Sequence, residues 1–459
     1  MQPRESSSSP LDRSRLGELI DRERSRYSEL HPRSLAAYRE AAPDLFGGVP
    51  MTWMNKWTGG FPLFLDGAKG AHVTDLDGIE YVDFCLGDTG AMAGHSPEPT
   101  VEAVRLRLET QGGATAMLPT PDAGWVGAEL SRRFGFRRWS FTLSATDANR
   151  WSIRLARHLT GRPKVLVFSY CYHGSVDEAF VVATPEGPRP LEGNVGAPVD
   201  VSLTTRVVEF NDLAALEREL SFKDVAVVVA EPALTNIGIV LPDPGFHEEL
   251  RELTRASGTL LLIDETHTLS AGPGGCTKAW GLDPDIVTIG KAIGGGIPAG
   301  AYGLASDLAE RVLSDTKADL IDTGGVGGTL AGNALSVAAM RATLERVLTD
   351  DAFARMVELG GTFVAGVQET LDRTRVPWVI TRLGARAEYR FCPDPPRNGG
   401  ESRAAEDVVL DEYLHLYTAN RGVLMTPFHN MALMCPATTA PDVEHHTEVF
   451  ASAVDELVG

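Results

Sequence analysis

Six short, mostly apolar runs separated by helix-like segments constrain this chain more than any other feature. They fall at 165–168, 207–210, 226–230, 260–263, 286–289 and 301–304. A strand with one wet face alternates apolar and polar residues, whereas a run that is apolar throughout needs cover on both faces. Segments with helical spacing, such as 212–220 and 246–256, lie between several of the runs. That repetition predicts an open, mainly parallel α/β sheet. Ligands of such sheets bind beyond the carboxyl ends of the strands, so the residues just after each run are the ones to read for chemistry.

The flanks have a different texture. Residues 1–15 are polar and read as a flexible tail, with no apolar core that would make a secretory signal. Residues 16–60 carry helical spacing (Leu16, Ile20, Tyr27, Leu30) up to a break at Gly47-Gly48-Val49-Pro50. They are expected to supply the first part of a small domain and some of the substrate pocket. Strand-like pieces near 64–65 and 71–73 are expected to join through the turn Asp75-Leu76-Asp77-Gly78. The large α/β domain is expected over 61–335, and a smaller α+β domain over 336–459, beginning with a long helix near 334–348.

Charge removes two classes of partner. With 42 basic and 62 acidic residues the net charge is −20, which repels nucleic-acid phosphates and anionic lipid. No apolar run reaches the ~18–20 residues needed to cross a bilayer. Cys85, Cys171, Cys276, Cys392 and Cys435 are scattered and form no CxxC pair. They read as reduced thiols of a cytoplasmic protein, with no metal site expected.

The strand ends carry the chemistry. In Thr288-Ile289-Gly290-Lys291-Ala292-Ile293-Gly294-Gly295-Gly296 a lysine follows an apolar run and precedes a glycine run. Partial desolvation there favours the neutral, nucleophilic amine needed for imine formation, although a strand-end lysine on its own is more often a solvated surface group. Asp264 ends the run at 260–263; alone it is a common helix cap or metal ligand. Together with Lys291 it suggests the two groups a pyridoxal phosphate (PLP) site needs: one to form the imine, one to keep a pyridine nitrogen protonated. Ser144-Ala145-Thr146-Asp147-Ala148-Asn149 precedes a helical run at 151–159. Free N–H groups at such a start suit a phosphate, and equally an ordinary cap. Tyr172, in Tyr170-Cys171-Tyr172-His173-Gly174, stands where an aromatic can stack on a planar ring or simply pack at the rim. His95, His173 and His267 read as hydrogen-bonded structural groups, and His445-His446 as solvated.

In this order the elements resemble the class III aminotransferases, PLP enzymes of the aspartate-aminotransferase-like fold (fold type I). The nearest patterns are glutamate-1-semialdehyde 2,1-aminomutase and the related β-amino-acid and amine transaminases. The resemblance runs from about Gly47 to the end of the chain. It includes Asp75-x-Asp77-Gly78-x-x-Tyr81-x-Asp83, Gly94-His95-Ser96-x-Glu98, Tyr172-His173-Gly174, Glu231-Pro232 with Asn236-x-Gly238, Asp264-Glu265, Gly290-Lys291 and Gly328-Thr329-Leu330-Ala331-Gly332-Asn333. It implies that Lys291 carries PLP and shuttles the proton, that Asp264 pairs with the pyridine nitrogen, and that Tyr172 stacks on the ring. It further implies cofactor contacts from Glu231, from the backbone at Ala145 and Thr146, and from Thr329 across a homodimer interface. Asp147, Ala145, Thr266 and Ala334 depart from the family's usual Glu, Gly, Val and Pro.

The resemblance also frames the substrate. The aminomutase holds its substrate with a Ser and an Arg where this chain has Met51 and Met54, flanked by Trp53 and Trp57. Thr426-Pro427-Phe428-His429-Asn430-Met431 lacks the arginine that β-amino-acid transaminases keep there, and Asn236 stands where related enzymes have a glutamate gate. Met51, Trp53, Met54 and Trp57 are therefore expected either to line an apolar pocket or to serve as core or interface residues. The expected activity is transfer of an amino group between an amine or hydrophobic amino acid and a keto compound. An aminomutase, a PLP lyase or decarboxylase, and a retired PLP-binding partner protein are the alternatives. Arg150 and Arg386 are the candidates for any carboxylate recognition.

Overall fold

A computed structural model describes residues 11–459 apart from 137, 197, 198, 317, 318, 321 and 322. The expected tail therefore lies largely outside the described residues, and helix begins at Arg13.

Seven strands form the central sheet. Across it they run Arg138–Thr142, Gly300–Leu304, Ile286–Ile289, Leu260–Asp264, Val225–Ala230, Lys164–Phe168 and Thr205–Val208. Five pair in parallel, while Gly300–Leu304 runs antiparallel to both of its neighbours. Every residue of Val225–Ala230 and of Leu260–Asp264 is buried, as a sheet covered on both faces requires. The strand at 138–142, Arg-Trp-Ser-Phe-Thr, has no apolar run and was not expected. It is an edge strand, where one side of the ladder has no partner and polar residues are tolerated.

A second, four-stranded sheet draws on both ends of the chain. Leu65–Lys69, His72–Asp75 and Glu80–Asp83 form antiparallel neighbours, and Val423–Leu424 adds in parallel to the last of them. Gly70 makes the first turn, with φ +62°. The Asp75–Gly78 turn links the second and third strands, rather than the two pieces for which it was expected. A third sheet of Val379–Leu383, Arg386–Arg390 and Met431–Leu433 completes the carboxyl-terminal part.

The first helix, Arg13–Leu30, belongs to this second layer through one buried acid. Glu23 is fully buried and accepts from Asn420 Nδ2 at 2.8 Å and Arg421 Nη1 at 3.0 Å. A buried carboxylate is tolerated only when paired in this way. His446, expected to be solvated, is instead fully buried against Phe84, Phe363 and Phe450. Its helix, Ala440–Val458, turns that face into the core. No helix among the described residues is long and apolar enough to cross a membrane.

Candidate active site

A cleft of about 290 Å³ opens at the carboxyl ends of the central strands, lined by Ser144, Ala145, Thr146, Tyr172, Asp264, Thr266, His267 and Lys291 among others. The parallel register explains the convergence. Asp264 is the last residue of its strand and pairs laterally with Thr288 of the next, three residues before Lys291. Groups far apart in the sequence thus arrive at one rim.

Asp264 is buried and fully partnered. His173 Nδ1 at 2.9 Å and Asn149 Nδ2 at 2.8 Å reach Oδ2, while the Thr266 backbone N–H at 3.0 Å and hydroxyl at 2.5 Å donate to Oδ1. Burial alone would favour the neutral acid, but these donors and the adjacent His173 hold its pKa below the ordinary range. It is a fixed anion at the floor of the cleft. His173 is shifted well upward: burial opposes its charge, but Cys171 and Asp264 outweigh burial.

The helix Ala145–Thr160 starts at the rim with Ser144 as N-cap, six residues earlier than expected. Its first N–H groups and positive dipole end face the cleft. Two glycines let the backbone close around this start. A Cβ on Gly290 would sit 2.9 Å from the Ala145 nitrogen; on Gly174, where φ is +79°, it would collide with the Thr146 side chain. Thr146 Oγ1 also accepts from Ser175 N at 3.3 Å. Tyr172, 37% exposed, stands at the mouth.

Lys291 emerges with φ +48°, in the left-handed region that is costly for a residue with a Cβ. Its Nζ lies 2.9 Å from Asp88 Oδ2 and 2.9 Å from His267 Nε2. Asp88 sits in an unusual turn, with Leu86, Gly87, Asp88 and Thr89 all at positive φ. Burial would raise the Asp88 pKa, but the cations Lys291 and Arg386 drive it far down, so it too is a fixed anion. Neither Asp88 nor Thr89 was singled out from the sequence, since a left-handed turn inside a loop has no periodic signature. Asn149 was quoted without a role, although its place one turn after Ala145 puts it on the same helix face.

The remaining expected residues scatter. Glu231 is buried below the rim, where its carboxylate accepts from the Thr235 hydroxyl and backbone, the latter at 3.2 Å, and from the Tyr172 N–H at 3.5 Å. Burial pushes its pKa up, and it supports Tyr172 rather than lining the cleft. Thr329 is exposed beside Leu330. Met51, Trp53, Met54 and Trp57 lie outside the cleft lining. Trp53 packs edge-on against Phe428 at 5.4 Å, and Trp57 packs beside Tyr81, Ala419 and Leu424. Arg150 is exposed. Arg386 is buried behind the site, on Thr89 and His267.

Comparison with known proteins agrees with this geometry. The family model "Aminotransferase class-III" matches residues 53–454. A glutamate-1-semialdehyde 2,1-aminomutase of Anaeromyxobacter dehalogenans is 32% identical over 414 residues, covering 88% of this chain and 94% of that one. Among solved structures, a glutamate-1-semialdehyde-aminomutase from Pseudomonas aeruginosa PAO1 is 50% identical with a TM-score of 0.94, covering 98% of this chain and 100% of the other. A β-phenylalanine aminotransferase from Variovorax paradoxus is 26% identical with a TM-score of 0.85, covering 95% and 97%.

Proposed function

The chain belongs to the class III aminotransferase family, and from that premise we propose that it moves an amino group within a small substrate, as the aminomutase relatives are named for doing. Its fold is that of the PLP-dependent enzymes of fold type I, and PLP is its cofactor. The site suits that group: a buried anion on the floor, a helix start closed by two glycines, an aromatic at the mouth and a lysine amine above.

When bound, PLP withdraws electrons from the carbon that bears the amino group. Lys291 attaches the cofactor and later takes and returns the proton at that carbon. Asp264 would accept the N–H of the cofactor ring, with Asn149, His173 and Thr266 holding the carboxylate in place. The N–H groups at Ala145 and Thr146 bind the phosphate, Tyr172 covers the ring, and Glu231 steadies Tyr172 from below. Thr329 serves the site of a second copy; the exposed apolar side chains Leu108, Met117, Leu118 and Leu330 support a homodimer.

The observation that carries the aminomutase reading is the likeness to the aminomutase from Pseudomonas aeruginosa PAO1, 50% identical along 98% of this chain; the relative from Anaeromyxobacter dehalogenans carries the same name. Transfer between an amine and a keto acid is the second reading, favoured by Met51 and Met54 standing in place of the expected Ser and Arg.

One incubation separates them. Given glutamate-1-semialdehyde alone, the PLP-loaded protein is expected to form the isomer with the amino group moved to C1, consuming no second amine or keto acid. Absence of isomer, together with alanine–keto acid exchange, would establish the transaminase instead.

A further inference from the structure

His267 meets the Lys291 nitrogen through a contact whose direction is fixed from behind. The ring lies within its strand-end loop, fully enclosed, with Nε2 2.9 Å from Lys291 Nζ. On the other side, Nδ1 lies 3.0 Å from Arg386 Nη2 and 2.9 Å from Thr89 Oγ1. A guanidinium has donors only, so Nδ1 must accept. Arg386 also donates to the Thr89 oxygen, which leaves the hydroxyl proton to point at Nδ1 as well. Asp88 Oδ1, 3.8 Å from Nδ1, is beyond hydrogen-bond reach. A ring that accepts at Nδ1 and is neutral carries its proton on Nε2, facing Lys291.

We propose that His267 is a further catalytic residue, a tautomer-locked donor to the nitrogen of Lys291, and that Arg386 and Thr89 are the positioning residues that lock it. The inference rests on Lys291 being the residue that carries PLP. Donation from Nε2 stabilises the unprotonated nitrogen, while Asp88, 2.9 Å away, accepts from it. The charged groups facing His267 are Lys291, Asp88, Arg386 and, further off, Asp264; burial, Lys291 and Arg386 keep the ring neutral. Arg386 is buried, donates to Thr89 and His267, and is not among the residues that line the cleft.

The test is a spectral pH titration of the PLP-loaded protein in a double-mutant cycle. A donor that favours the unprotonated nitrogen lowers the midpoint of the visible band. Removing the lock with Arg386→Met should raise that midpoint by about one unit, a tenfold change in proton affinity. In a His267→Leu background, the same Arg386→Met change should move it by no more than about a third of that. Equal shifts in both backgrounds would make Arg386 a remote charge and overturn the lock. Should Arg386→Met fail to fold, His267→Gln and His267→Leu decide. The glutamine amide still donates and should keep the midpoint near wild type, while leucine raises it; coincident midpoints overturn the proposal. A wild-type protein with no visible band would sink the cofactor reading and this inference together.

Discussion

The floor of the cleft and the segment 51–57 are both expected from the sequence to bear on the reaction, yet they are built in opposite ways. At the floor, Asp264 has four donors from three segments of chain, and a parallel strand register sets its height relative to Lys291. In the segment, Thr52–Lys56 is a single 3-10 turn with no buried residue, and Trp53 and Met54 are 40% and 37% exposed. A buried polar site must satisfy every group from within the chain. An exposed turn takes its meaning from what packs on it afterwards. Chemistry is over-determined in the first region and left to the surroundings in the second.

The largest effects should come from breaking the floor. On the proposed roles, Lys291→Ala would remove both the attachment point and the proton carrier, and turnover should fall by about 10³-fold or more, within the range of general acid–base contributions; single-turnover spectroscopy reads the loss. Asp264→Asn keeps the shape but removes the anion, leaving His173 against a neutral amide. A fall of about 10²-fold is expected, with PLP retained more weakly in dialysis. The exposed segment should respond differently. Trp53→Ala is expected to change stability by less than about 0.5 kcal/mol, as for other surface sites, while altering KM more than the midpoint of the visible band. A collapse of PLP binding in that variant would erase the contrast between the regions.

Two smaller effects lie outside the site. Both ring nitrogens of buried His446 lack hydrogen-bond partners among the described residues, and burial lowers its pKa to about 3. A lowered histidine pKa means the unfolded chain binds the proton first, so stability drops as pH falls below the ordinary value near 6.5. His446→Phe should abolish that slope and add about 1 kcal/mol at pH 7, measured by denaturant unfolding. Asp411 is the reverse case. Burial raises its pKa to about 6 despite the bond from Asn430 Nδ2 at 2.6 Å. Its folded form holds the proton more tightly, so stability is lost as pH rises through 6. Asp411→Asn should be more stable relative to wild type at pH 8 than at pH 5, by about 1 kcal/mol.

How much was legible in the sequence follows the same division. The runs at 226–230 and 260–263 could be read because burial on both faces demands apolar residues throughout, and Asp264 and Lys291 could be read because they end such runs. The strand Arg138–Thr142 escaped because an edge needs no such run. Asp88 and Thr89 escaped because four successive positive-φ residues encode a local turn, not a period. His446 looked polar in a polar stretch, and only its helix phase places it against Phe84, Phe363 and Phe450. The expectation of an apolar amine rests on Met51 and Met54 standing in place of Ser and Arg and on the segment 426–431 lacking an arginine, whereas the described cleft is lined by other residues.

The central claim is that one lysine, opposite one buried aspartate, carries the cofactor. Borohydride reduction of the PLP-loaded protein, followed by peptide mass spectrometry, tests it most directly. The account predicts a single phosphopyridoxyl adduct on the peptide that contains Lys291, absent from Lys291→Ala. An adduct on another lysine, or none in a protein that shows the visible band, would contradict it.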